Sequence, residues 1–277
     1  MVDDRKLKAA NWFEELRTNI CNEFEKIEKE VGASCKFTRK TWDREGGGGG
    51  VMAYMNGEVF EKVGVNVSTV WGEFDPKFSK DIPGTESNRN FWASGISLVA
   101  HPTNPFVPTV HMNTRMIITE KSWFGGGADL TPTIEFEDDT HEFHAAMKSA
   151  CDKHNPTYYP KYKEECDKYF YIAHRNEPRG VGGIFYDYLN TGNWDNDFAF
   201  NQDVGSAFLN IYPQLVRKHY KTPYTINDKE RQLFKRGRYV EFNLIYDRGT
   251  KFGLMTGGNT EAILMSMPPE VRWKVAV

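Results

Sequence analysis

The strongest constraint on the fold is a long stretch of strand-like sequence between residues 51 and 131. Its segments are rich in β-branched residues and alternate in part between apolar and polar side chains, as strands do. They cover residues 63–74, 95–102 and 109–120, and residues 238–249 and 252–258 share their character. Strands early and late with helices between them predict an α+β fold. We expect a large, mainly antiparallel sheet of about six or seven strands, flanked by helices on both faces, and not a regular βαβ series.

Helices are predicted where apolar residues recur at spacings of three and four. The first covers residues 4–32. Further helices are predicted over residues 137–153, 158–173, 195–220 and 260–268. Five glycines at 46–50 are interpreted as a mobile loop, because no change in composition begins there. Residues 1–277 are therefore expected to form a single domain.

Composition argues against several classes of protein. Lys and Arg number 35 against 38 Asp and Glu, so the chain lacks the basic excess of a nucleic-acid-binding protein. No apolar run approaches the roughly 20 residues of a membrane span. Four cysteines lie far apart without a CxxC pair, which disfavours a zinc ribbon or a disulfide scaffold. The N-terminus has no apolar signal core, so we expect a cytoplasmic protein.

Aromatic residues make up 14% of the chain, and 24 residues are glycine. A large sheet packed under aromatic side chains would explain this composition. A broad, flat apolar ligand that the backbone approaches closely would explain it as well. The two interpretations stay open at this point.

The most informative segment is the predicted strand 109–120. Because side chains alternate along a strand, His111, Asn113 and Arg115 share one face, opposite a face of apolar residues. A guanidinium matches a carboxylate, an amide adds a donor, and an imidazole exchanges a proton near neutral pH. The row indicates a site for an anionic ligand, and a solvated sheet face is the alternative.

Glycine-rich segments lie on either side of further polar residues. Residues 122–132 contain three glycines, interpreted as a turn that precedes Asp129; without a P-loop motif, a phosphate site is disfavoured. The predicted strand 238–249 would place Asn243 and Asp247 on one face. The turn at 256–259 offers backbone N–H groups that could bind a carboxylate.

Seven histidines allow a test for a metal centre. None belongs to an HExxH or HxH motif, although His141 and His144 share one face of a predicted helix. Because no recognised ligand set follows from the spacings, a tightly bound catalytic metal is not predicted.

Several long segments carry one further signal. They are GVNVS at 64–68, WFGGGADLTP at 123–132, and the runs 94–115, 158–190 and 237–258. In order and across roughly residues 10–273, these segments resemble the oxygen-dependent coproporphyrinogen III oxidases. The resemblance implies a homodimer with a large curved antiparallel sheet. It also implies oxidative decarboxylation of the ring A and ring B propionates of coproporphyrinogen III to vinyl groups, giving protoporphyrinogen IX. O2 would be the oxidant, without a flavin, a haem or another tightly bound cofactor.

The resemblance implies roles for individual residues. His111 matches a proposed proton donor, while Asp129 and Asp247 match acids proposed to engage the pyrrole N–H groups and so help the pyrrole reduce O2 directly. Arg179 and Arg248 resemble arginines that pair with propionates or serve the structure. The implied substrate contacts are Ser97, Asn113, Thr114, Arg115, Arg179, Arg248, Gly257, Gly258 and Asn259.

A divalent metal is an alternative that the same resemblance raises. Bacterial relatives are described with a metal on histidines that match His101, His111, His144 and His174, whereas eukaryotic relatives are regarded as metal-free. One histidine cannot be both a metal ligand and a free proton donor. The two roles therefore compete, and the metal is the less favoured.

The chain departs from the family pattern at two places. Many relatives have Arg at the position of Asn259, so one propionate is expected to have a weaker partner or one supplied elsewhere. Many relatives also continue as a helix past the position of Trp273; if that helix covers the active site, its loss would alter substrate closure.

Two further function classes and one interface remain as hypotheses. A metal-dependent oxygenase or hydrolase would use the histidines, and a non-catalytic tetrapyrrole carrier would bind without O2 uptake. Residues 239–274 are expected to carry much of a dimer interface, because their apolar content exceeds what a monomer edge should expose. The alternative is that they fill the core of one chain.

Overall fold

A seven-stranded antiparallel sheet lies at the centre of the computed structural model, which describes residues 2–80, 82–255 and 258–273. Its strands, in order across the sheet, are β1 (Thr38–Asp43), β2 (Gly48–Met55), β3 (Phe60–Glu73), β4 (Asn90–Pro102), β5 (Thr109–Ile118), β6 (Ser122–Thr131) and β9 (Gly182–Leu189). Two short strands, β7 (Tyr171–Ile172) and β8 (Glu177–Pro178), pair separately. Every pairing is antiparallel, and the predicted α+β class is confirmed.

Helices cover both faces of the sheet. The helices on one face are α1 (Val2–Glu30), α3 (Glu137–Asp152), α4 (Tyr158–Tyr169) and α5 (Trp194–His219). Those on the other are α6 (Ile226–Ile245), α7 (Arg248–Met255) and α8 (Thr260–Leu264), and a short α2 (Pro76–Ser79) lies between β3 and β4. None of the helices in the described ranges combines the length and apolarity that a membrane crossing requires.

The main core lies between the sheet and the first group of helices. Phe24 of α1 stacks on Phe60 of β3 with ring centroids 4.5 Å apart, and both rings are fully buried. Tyr212 of α5 joins them. Burying a ring of this size contributes roughly 1.5–3 kcal/mol, so these contacts fix α1 and α5 on the sheet. The apolar side chains of the sheet are therefore directed to this core, and polar side chains can lie on the opposite face of the sheet.

Two predicted strands are wrong. Residues 238–245 belong to α6, and residues 248–255 form α7. A capping box between Thr225 and Asp228 starts α6. Its buried positions include the polar residues Gln232, Arg236 and Asn243, so its helical period is hidden in a search for apolar residues.

Two glycine runs also differ from expectation. Gly48, Gly49 and Gly50 lie within β2, so only the start of the run at 46–50 is a turn. The glycines at 125–127 lie within β6 and not in a turn. The predicted helix at 158–173 ends at Tyr169, before β7. The other predicted helices are confirmed within a few residues. They cover residues 4–32, 137–153, 195–220 and 260–268.

Candidate active site

Strand β5 divides its side chains as its alternation predicts. Val110, Met112 and Met116 are buried toward the main core, while His111, Asn113 and Arg115 are half-buried on the other face. These three side chains form a continuous hydrogen-bonded line. Arg115 Nη1 donates to Asn113 Oδ1 at 3.0 Å, and the Asn113 amide nitrogen lies 3.1 Å from His111 Nε2.

The donors and acceptors in this line allow one arrangement of protons. A guanidinium can only donate, so Asn113 turns its oxygen to Arg115 and its NH2 group to His111. His111 Nε2 must then accept, which places the ring proton on Nδ1. That nitrogen lies 2.8 Å from Asp129 Oδ1 on the neighbouring strand, where it donates to the carboxylate. The line therefore orients the His111 ring, with Nδ1–H toward Asp129 and Nε2 toward Asn113.

The inner end of the line is a buried ion pair. Arg179 Nη2 donates to Asp129 Oδ2 at 2.6 Å, and both side chains are 2% exposed. Burial acts to raise the pKa of Asp129, but the Arg179 guanidinium and the hydrogen bond from His111 outweigh it and hold that pKa below its usual value. The rings of Phe170, Tyr239 and Phe242 surround the guanidinium carbon at 4.0 to 4.8 Å. Both carboxylate oxygens of Asp129 thus accept hydrogen bonds from side chains of this chain, His111 and Arg179.

The outer end of the line is a second ion pair. Arg115 Nη2 lies 2.9 Å from Asp187 Oδ2 on β9, and the two side chains are 28% and 19% exposed. We call the whole series the polar row: Arg179, Asp129, His111, Asn113, Arg115 and Asp187. It runs from the interior to solvent across three strands.

The sheet face beside the outer half of the polar row has almost no side chains. Across from Asn113 lie Ser97 on β4 and Gly127 on β6, and the corresponding neighbours of Arg115 are Gly95 and Gly125. Ser97 is exposed. This flat, small-residue floor next to an arginine and an amide can accept a broad planar ligand that carries carboxylates.

Asp247 and Arg248 lie near this site but not in the polar row. Asp247 accepts the Tyr169 hydroxyl at 2.8 Å and the Thr250 backbone N–H at 2.7 Å. These bonds outweigh its burial and lower the pKa of Asp247. Arg248 is exposed, with its guanidinium carbon 4.9 Å above the Tyr169 ring. The ring of Tyr169 stacks in turn on Phe185 of β9.

The remaining implied substrate contacts are divided. Thr114 is fully buried on the core face of β5, so its side chain does not join the site. Asn259 caps α8, accepting the Ala262 backbone N–H at 2.9 Å, and Gly258 adjoins it. The Ala262 carbonyl accepts Asn66 of β3, which pairs with Ser97, so this turn borders the small-residue floor. Gly257 lies outside the described residues.

The four histidines of the metal hypothesis have separate partners. His101 is buried against the Ser266 carbonyl, and burial lowers the pKa of His101 to about 3. His144 is held by the Val181 carbonyl and the Tyr159 hydroxyl, and His174 by Glu241 and Tyr246. Within the described ranges, no three His, Cys, Asp or Glu side chains are grouped to hold a metal ion. The residues therefore do not fit the proposed metal centre.

The structure adds Asp187, which the sequence interpretation missed. Its place follows from the alternation of side chains along β9. Gly183 and Phe185 pair with Asp129 and Gly127, so the odd-numbered residues of β9, including Asp187, face the polar row. Without knowing that 182–189 is the strand next to β6, that alternation has no face to be assigned to.

Comparison with known proteins agrees with these features. A family model described as coproporphyrinogen III oxidase matches residues 8–277. The oxygen-dependent coproporphyrinogen-III oxidase of Rickettsia akari (strain Hartford) is 60% identical over 278 residues, covering 99% of this chain and 100% of that protein. The enzyme of the same name from Rickettsia bellii (strain OSU 85-389) is 61% identical over 270 residues, covering 96% and 97%. The chain belongs to the coproporphyrinogen III oxidase family.

Proposed function

We propose that the polar row is the active site of an oxygen-dependent coproporphyrinogen III oxidase. The reaction converts the ring A and ring B propionates of coproporphyrinogen III to vinyl groups, giving protoporphyrinogen IX in haem biosynthesis. The observation that carries the proposal is the line from Arg115 through Asn113 to His111 beside a flat floor of small residues, in a chain of this family.

The electrons of each step balance with O2 as the acceptor. One C–H bond and the C–C bond to the carboxylate break, and the vinyl double bond and CO2 form. The two electrons released reduce O2, which takes up two protons to become H2O2. The protein must therefore bind carboxylates, exclude water and move protons.

Arg115 is the proposed anchor for a propionate. Its planar guanidinium matches a carboxylate, and it lies at the open end of the polar row. The reacting propionate leaves as CO2, so a strong Arg contact suits a propionate that is retained. Ser97, Asn113, Gly258 and Asn259 border the same floor and are proposed as further contacts, with Gly257 beside them in the sequence.

His111 is the proposed proton-transfer group, acting at Nε2. Its Nδ1–H is held by Asp129, which fixes the ring and stabilises it when Nε2 takes up a proton. Because Asp129 is buried with both oxygens occupied, we assign it and Arg179 to positioning His111 and not to substrate contact. Asp247 is half-buried and stays the proposed acceptor for pyrrole N–H groups. Arg248 is proposed to meet a propionate at the mouth of the site.

Three wider features belong to the proposal. Leu244, Ile245 and Leu254 are 50%, 45% and 41% exposed, which supports a homodimer interface within 239–274; Phe242 and Met265 instead fill the core of one chain. A cytoplasmic location is supported by four cysteines that are all free. The match over residues 8–277 supports one domain that spans 1–277. No step is assigned to a metal or another bound cofactor.

The decisive experiment is anaerobic addition of coproporphyrinogen III followed by O2. We expect two CO2 per macrocycle and a product with the mass of protoporphyrinogen IX. Binding without O2 uptake would instead support a carrier. Loss of a stoichiometric metal together with activity in His144→Ala and His174→Ala would support a metal-dependent oxygenase. Light scattering at micromolar concentration tests the dimer.

A further inference from the structure

Arg115 already has a carboxylate beside it in this structure. Its Nη1 donates to Asn113 Oδ1, and its Nη2 lies 2.9 Å from Asp187 Oδ2 in an ion pair, so both terminal nitrogens contact side chains of the same chain. Asp187 presents the same chemical group, a carboxylate, that the substrate would present. A substrate propionate that binds at Nη2 would therefore compete with Asp187 for the guanidinium.

The surrounding backbone is shaped to hold this pair. The β6–β9 pairing has an irregularity beside Gly125, and Tyr188 has a φ of 54°, in the left-handed region that a tyrosine rarely adopts. Asp187 Oδ1 accepts the Tyr188 backbone N–H at 3.1 Å. Non-glycine residues keep such a conformation only where the structure around them imposes it, and they cluster at functional sites.

Gly125 supplies the space for the pair. A Cβ atom at this position would lie 2.8 Å from Arg115 Cζ and 2.8 Å from Asp187 Oδ1, closer than real contacts allow. A side chain at 125 would therefore force the ends of Arg115 and Asp187 to shift. Gly125, the irregular β6–β9 pairing and the left-handed Tyr188 thus all lie beside the same ion pair.

We propose that Asp187 is the residue that sets the affinity of the site for a carboxylate. In the empty site it takes the place of a substrate carboxylate on Arg115, keeping the guanidinium in position and its charge balanced. In the occupied site its negative charge stays nearby and repels the substrate carboxylate, which weakens the binding of that carboxylate to Arg115. Because two propionates of one macrocycle react, the carboxylate contacts must be reversible, and Asp187 supplies this reversibility. The inference rests on the proposed function, since it assumes a propionate at Arg115.

The test measures binding of coproporphyrin III, the oxidised and unreactive macrocycle that keeps all four carboxylates. Asp187→Asn removes the charge and keeps the size. We expect its Kd to fall about three- to fivefold, near the upper end of the range for removing one like charge beside a partly exposed pair. KM for coproporphyrinogen III should fall as well, while kcat does not rise. A merely structural role predicts the opposite, a weaker affinity from a disordered Arg115.

Three comparisons make the result specific. In an Arg115→Gln background, Asp187→Asn should change the Kd less than twofold, because the competition needs the guanidinium. The tetramethyl ester of coproporphyrin III carries no charge, so its binding should be the same in Asp187→Asn and wild type. Asp152→Asn is the matched control: it removes the same charge from a surface pair with Lys148 on α3 and should leave both constants unchanged.

A second variant keeps the test possible if Asp187→Asn fails to fold. If Asp187→Asn unfolds, Asp187→Ser removes the same charge with a smaller side chain and should also tighten binding. Weaker or unchanged binding of coproporphyrin III in the folded variants would overturn the role of Asp187, with the proposed function intact. Failure of the wild type to bind this ligand and to release CO2 would overturn the proposed function, and this inference with it.

Discussion

The polar row ends in two Arg–Asp pairs that have the same chemistry and opposite environments. Arg179 and Asp129 meet at 2.6 Å with both side chains 2% exposed. Arg115 and Asp187 meet at 2.9 Å with 28% and 19% exposure. Removing one partner of a buried pair costs roughly 3–5 kcal/mol because a charge is left unpaired away from water. An exposed pair contributes at most about 1 kcal/mol.

This difference separates positioning from exchange. The inner pair cannot open without stranding a charge among Phe170, Tyr239 and Phe242, so it serves as a fixed support for His111. The outer pair can open cheaply because water replaces the lost partner, so it can give way to a substrate carboxylate. One row thus holds a rigid end that fixes a proton position and a labile end that binds an anion.

The largest effect is expected from breaking the inner pair. Arg179→Met should lower the free energy of unfolding in urea by about 3–5 kcal/mol and abolish turnover. Arg236→Met is the matched control, since Arg236 is also buried on α6 and pairs with Glu61 away from the polar row. It should lose stability but keep the kcat of the folded fraction. If the free energy of unfolding of Arg179→Met stays within about 1 kcal/mol of wild type, the inner pair contributes no more than an exposed pair and the contrast drawn here is wrong.

Acid should weaken the same pair without a mutation at Arg179. The pKa of Asp129 is lowered in the folded chain, so its contribution to stability is present above the usual Asp value of 3.8 and is lost as the pH falls through the folded value. Urea unfolding should therefore become easier below about pH 4. Asp129→Asn should show a shallower acid slope than wild type, and equal slopes would contradict the lowered pKa.

The catalytic role of the inner pair is tested at Asp129 itself. Asp129→Asn keeps the size but removes the charge that stabilises a protonated His111. We expect kcat to fall about a hundredfold with little change in KM. Asp197→Asn is a matched control, because Asp197 is a buried acid whose two carboxylate oxygens accept from Thr191, away from the polar row. If kcat/KM of Asp129→Asn stays within about threefold of wild type, the support role is wrong.

The outer pair should respond in KM and not in stability. Arg115→Lys keeps the charge but loses the planar fork, so KM should rise about tenfold with kcat within about threefold. Arg115→Ala should lower kcat/KM by about a hundredfold or more. Both variants should unfold within about 1 kcal/mol of wild type. A large loss of stability would make this pair structural like the inner one.

The sequence predicted the middle of the polar row but not the contacts at its two ends. Alternation within one strand is local, so His111, Asn113 and Arg115 were placed on one face correctly. Asp129 and Asp187 lie on neighbouring strands, and their places depend on a register that no single segment encodes. The glycines before Asp129 read as a turn because glycine is typical of turns. Here they lie in a strand, where Gly125 leaves space for Arg115.

The smallest effect is expected at Arg248, an exposed cation that bonds to no acid among the described residues. Its guanidinium lies over the Tyr169 ring at the mouth of the site, so it can attract a tetra-anionic substrate without holding one carboxylate in place. Arg248→Ala should lower kcat/KM only about threefold at low salt, and the loss should disappear near 0.5 M salt as screening shortens the reach of the charge to roughly 4 Å. Lys221→Ala is the matched control, because Lys221 lies over the Tyr220 ring in the same way. It should leave kcat/KM unchanged. A loss at Arg248 that persists in high salt would mean a direct carboxylate contact, and Arg248 would then join Arg115 as a second exchangeable anchor.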